Sequence, residues 1–126
     1  FIGSPKMNFI NSKVISSNNS GTEVEISGQE KIIVPKTSDK VSPGDNVKIG
    51  IRPEHILINS SEKCWESKVF VIEKLGSSTF LYLEKEGEPL VVQTDGASKV
   101  NVGDSLSLGF DLNKCHLFDS NNLAFK

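Results

Sequence analysis

Lys40-Val41-Ser42-Pro43-Gly44-Asp45-Asn46-Val47-Lys48-Ile49-Gly50-Ile51 returns 59 residues later as Lys99-Val100-Asn101-Val102-Gly103-Asp104-Ser105-Leu106-Ser107-Leu108-Gly109-Phe110. Each copy is a turn followed by strict alternation. Val47, Ile49 and Ile51 in one copy, and Leu106, Leu108 and Phe110 in the other, fall on a single face of a strand because successive side chains cross the pleat. A histidine follows each copy, His55 and His116, two residues out of step. The echo predicts one β module built twice.

Elsewhere the chain offers short strands separated by Gly, Pro, Asn, Asp and Ser, with no helical period. Strands are expected at 11–16, 22–26, 31–34, 46–52, 56–58, 66–75, 79–84, 90–92 and 105–110, then near Cys115–Phe118 and Leu123–Phe125. Thr22–Val34 has the form of a hairpin. Pro53 lacks a backbone donor and restricts Arg52, so the strand before it must end or kink there. Val69-Phe70-Val71-Ile72 is apolar on both faces, which predicts a strand crossing the core between two layers. About eleven strands without a helix predict an all-β fold of two intertwined OB-like barrels. The expected division is a lead-in over 1–10, a first OB-like half over 11–62 and a second over 63–126.

The 126 residues suit one domain or two small subdomains sharing a core. Fourteen basic and sixteen acidic residues give a net charge of −2, mixed along the chain, which argues against nucleic acid as a partner. The start, Phe1-Ile2-Gly3-Ser4-Pro5, has neither a basic n-region nor a long apolar stretch. It reads as a chain cut from a longer protein rather than a signal peptide. The two cysteines, Cys64 and Cys115, are too few for a disulfide scaffold and are expected as reduced, buried thiols, with a single disulfide the alternative.

Candidate chemistry is sparse. No Gly-x-x-x-x-Gly-Lys loop, no dinucleotide fingerprint and no Gly-x-Ser-x-Gly elbow occurs in the sequence. Glu54 beside His55 suggests acid–base work, but neighbours on an extended strand face opposite ways. Arg52, Pro53, Glu54 and His55 are therefore expected to be structural. Cys115 and His116 are split in the same way and have no tight ligand spacing, so no metal site is expected. Trp65 and the phenylalanines are expected in the core rather than on a base-stacking platform.

Phe1-Ile2-Gly3-Ser4-Pro5-Lys6-Met7-Asn8-Phe9, Gly50-Ile51-Arg52-Pro53-Glu54-His55, Glu73-Lys74-Leu75-Gly76 and Cys115-His116-Leu117-Phe118-Asp119 occur in that order. The series resembles the C-terminal region of ATP-binding subunits of carbohydrate-type ABC importers, the maltose and glycerol-3-phosphate group. The resemblance implies a regulatory domain of the transport-associated OB type (TOBE), following an ATPase domain that would hold ATP and Mg. It implies no catalytic, cofactor or metal residue in this chain, and no enzyme activity of its own. It implies a homodimer, contact with membrane permease subunits through the parent subunit, a regulatory protein as a further partner, and a cytoplasmic place at the inner face of the membrane. Arg52, Pro53, Glu54 and His55 match the family pattern, as structural or assembly residues. Two alternatives stay open: an oxyanion- or small-ligand-sensing module, since related OB-like modules bind molybdate, and a single-stranded nucleic-acid binder.

Overall fold

The repeated turn explains the repeated residues. In a computed structural model, which describes residues 6–126, Gly44 and Gly103 adopt φ of 93° and 95°, a region glycine enters without steric cost. Asp45 Oδ2 accepts from Ser42 N at 2.9 Å, and Asp104 Oδ2 from Asn101 N at 2.9 Å. Gly44 N and Gly103 N then donate to Val14 O and Val69 O at 2.7 and 2.8 Å. The same Gly-Asp pair closes the same turn onto the same place in each half.

Among the described residues ten strands follow: β1 (Asn8–Asn18), β2 (Gly21–Ile26), β3 (Lys31–Val34), β4 (Asn46–Ile51), β5 (Ile56–Ile58), β6 (Trp65–Leu75), β7 (Ser78–Leu83), β8 (Leu90–Asp95), β9 (Ser105–Phe110) and β10 (His116–Phe118). Two 3₁₀ turns, Pro53–His55 and Leu112–Lys114, sit between β4 and β5 and between β9 and β10. The sheets run β10-β4-β1-β2-β3 and β5-β9-β6-β7-β8. Each half thus keeps four strands and sends its fifth to the other. Gly50 pairs with His116, and Gly109 with Leu57, so the exchange is reciprocal and holds the 59-residue offset.

All-β architecture with two intertwined OB-like modules is what the pattern predicted. One apolar core spans both sheets, from Ile10, Val24, Ile49 and Ile51 to Leu81, Leu83, Leu108 and Leu117. Two side-chain amides span the sheets as well: that of Asn8 on the backbone of Val91 and that of Gln29 on the backbone of Glu66.

Several expectations need correction. The centre of β6 is not buried on both faces, for Phe70 and Val71 are each 42% exposed while Val69 is 1% exposed. A bulge between Val69 and Val71 leaves Phe70 unpaired and turns Val71 outward, opposite Tyr82. β1 runs from Asn8 to Asn18, longer at both ends than the expected 11–16; Phe1–Pro5 lie outside the described residues. Leu123–Phe125 forms no strand, only an isolated bridge of Ala124 to Phe118. Phe9 is 50% exposed, so the phenylalanines are not all core.

The exchange makes the halves one cooperative unit. Leu117, fully buried on the strand that the second half lends to the first, should cost about 2–5 kcal/mol when changed to alanine. Urea unfolding followed by Trp65 fluorescence and by far-UV circular dichroism should then shift together. A β carbon at Gly109 would lie 2.6 Å from Ser60 Cβ, so Gly109→Ala should cost about 1–3 kcal/mol in the same assay.

Candidate functional site

Pro53 is buried at the first position of its 3₁₀ turn, where a missing donor is harmless. Arg52, extended at φ −78° and ψ 150°, precedes it, and Ile56 N closes it onto Pro53 O. The turn packs against β8 of the second sheet, making it the crossover between modules. Arg52 and Glu54 are exposed and His55 is half-buried. Among the described residues no side-chain hydrogen bond joins the three; the Nδ1 atom of His55 is buried without a partner. His55 is held by its backbone instead, its N donating to Arg52 O and its O accepting from Asp111 N, both at 3.0 Å.

In the second half the corresponding residues are Asp111, Leu112, Asn113 and Lys114. There Asp111 Oδ1 caps the turn by accepting from Asn113 N at 3.3 Å, a bond that Arg52 cannot make. His116 does not correspond to His55. It stands across from Gly50 on β10, in the place that Leu57 occupies across from Gly109.

That placement gathers basic groups. His116, itself exposed, is held below the usual imidazole value, first by the partial burial of its ring and then by the charges of Lys36, Arg52 and His55 around it. Apolar rings adjoin them on the outer face of the first sheet. Phe9 and Phe118 meet edge to face at 5.7 Å, and Phe118 lies 6.4 Å from His116. Gly50 makes room for this cover: a β carbon there would lie 2.6 Å from Met7 Sδ and 2.8 Å from Phe118 Cε2. An open polar groove of about 490 Å³ is lined by Asn11, Lys48, Asn46, Asp119 and Asn122.

Cys64 and Cys115 are buried free thiols, pushed up by burial to about 11 and about 12, so neither supplies a thiolate at neutral pH. Among the described residues no three His, Cys, Asp or Glu side chains converge as a metal site. Lys36 and His116 were missed as members of the cluster. The signal was the 59-residue offset, which puts His116 opposite Gly50 once the exchange is recognised.

Two family models match the chain, the MalK OB fold domain over residues 3–56 and the TOBE domain over residues 49–118. Similar proteins include the maltose/maltodextrin import ATP-binding protein MalK of Yersinia pestis, 35% identical, and that of Vibrio vulnificus, 33% identical; each aligns with 100% of this chain. The chain spans about 35% of the length of these curated relatives. Among solved structures, the cytoplasmic molybdate-binding protein ModG superposes with a TM-score of 0.72 at 14% identity, over 92% of this chain and 98% of that one, which is a likeness of fold.

The depressed pKa of His116 predicts a pH dependence. The unfolded state takes up this proton near pH 6.5, before the folded state does, so stability present above that value falls as the pH drops through it. Urea midpoints measured between about pH 7.5 and pH 5.5 should fall, and less so in His116→Gln. Both cysteines should resist iodoacetamide at pH 8 until the chain is unfolded.

Proposed function

From a chain that belongs to the TOBE-domain family, with a MalK-type OB fold in its first half, we propose a regulatory and tethering role within the ATP-binding subunit of a sugar-type ABC importer. The observation that carries this is the tiling of the two family matches from residue 3 to residue 118, alongside MalK proteins that align with the whole chain. ATP and Mg would be held by the ATPase domain of the parent subunit. This chain contains no phosphate-cradling loop, and its part is mechanical.

Two copies would keep their ATPase domains together while these open and close, at the inner face of the membrane beside permease subunits. A regulator docked on one face would alter the relative stability of the open and closed arrangements, a coupling free energy between sites. Arg52 and Glu54, exposed and unpaired among the described residues, suit contact with such neighbours better than support of the fold.

A second role, sensing an oxyanion, is favoured by the basic groups around His116. Calorimetric titration with molybdate, sulfate and sugar phosphates separates the two, since saturable binding to the chain alone favours the sensor.

Light scattering after size-exclusion chromatography should show dimers of this chain at high concentration; a strict monomer would overturn a self-sufficient tether. ATP should not be hydrolysed by it, and measurable turnover would overturn the assignment. Arg52→Ala and Glu54→Ala should move stability by less than about 0.5 kcal/mol while altering assembly.

A further inference from the structure

Asn8 opens β1 where the chain enters the fold, and it is only 6% exposed. Its side chain does not serve its own sheet. Asn8 Nδ2 donates to Val91 O at 2.8 Å, and Asn8 Oδ1 accepts from Val91 N at 2.9 Å. Val91 lies on β8, the outermost strand of the second sheet, so among the described residues these are edge groups with no strand beside them. One amide therefore stands in for a whole neighbouring strand at that point.

The backbone of Asn8 meanwhile pairs with Ile51, the last residue of β4 before the crossover turn. That turn packs on β8. The lead-in, the crossover and the edge of the second sheet are thus joined through a single residue.

The other half lacks this device. Ile10 pairs with Ile49 as Trp65 pairs with Leu108, which puts Lys63 where Asn8 would stand. Lys63 turns to Glu66 instead, at 3.0 Å. Ile33, which holds on β3 the place of Val91 on β8, is 57% exposed, and among the described residues no side chain bonds its backbone. The bond is a departure from the duplication and not a consequence of it.

We propose that Asn8 is a coupling latch: while its amide is seated on Val91, the incoming chain and the second sheet move together, and its release frees β8 and the crossover locally without unfolding the first sheet. The latch rests on the geometry of this chain. Its use, carrying motion of an upstream ATPase domain into the regulatory module, rests on the role proposed above.

Amide hydrogen exchange of this chain tests the latch without reference to any importer. In Asn8→Ala, exchange should quicken at least about tenfold at Val91 and at Asp111, whose amide bonds the crossover, and stay unchanged in the β2–β3 hairpin. Unchanged exchange at Val91, or uniform acceleration everywhere, would overturn the proposal. Asn8→Asp supplies the chemical control. An ionised carboxylate can accept from Val91 N but cannot donate to Val91 O, whereas a protonated carboxyl can do both. The ionised form would set a charged oxygen against Val91 O, so the folded state should raise that carboxyl's pKa, and protection of Asp111, corrected for intrinsic exchange, should be present at low pH and lost as the pH rises through that value. Protection with the same pH profile as wild type would sink the latch. Should Asn8→Ala fail to fold, the Asp variant at low pH still decides it.

Discussion

Everything in this fold depends on two short strands being lent across the molecule. β10 seals the free side of β4, and β5 seals that of β9, each at a glycine, Gly50 or Gly109. Without the loan each module would expose the backbone groups of its fourth strand and open its core at Ile49 or Leu108. Both glycines serve the same end. The outer surface of the fourth strand is so closely covered, by Met7 and Phe118 at one and by Ser60 at the other, that no β carbon fits. The crossover turns are what carry the lent strands, which is why buried Pro53 and the Asp111 cap sit where they do.

The candidate site follows from that exchange. His116 meets Gly50 only because β10 has left its own half, and it brings a second histidine towards Arg52 and His55. A surface of basic and aromatic side chains results, at the seam between halves. Among the described residues no side-chain hydrogen bond joins Arg52, Glu54 and His55 there. The two thiols are buried and uncharged.

Much of this was legible from alternation and turn chemistry. The repeated Gly-Asp turn, the Thr22–Val34 hairpin and the stop at Pro53 each rest on local geometry, and local geometry is written in neighbouring residues. What could not be read depends on partners distant in sequence. Cys115-His116-Leu117-Phe118 is recognisable as a strand, yet nothing in those four residues says that its partner is β4. Phe70 and Val71 misled for a related reason: a bulge changes which face a side chain takes, and an apolar run looks alike with or without one. Lys36 joined the site from a connector with no pattern at all. Asn8 is an ordinary polar residue in its own stretch, for the partner of its amide, Val91, lies 83 positions away.

Fusing the two modules in one chain has a consequence for how they can change. Two separate copies of a module, paired by symmetry, must carry the same residue at both equivalent places. A substitution useful at one would be imposed on the other. Here Asn8 and Lys63 occupy equivalent places and do unlike things, one bridging the sheets and the other forming an ion pair with Glu66 on β6. The covalent link between the halves has therefore released each from its twin, and a symmetric frame has become free to hold an asymmetric part.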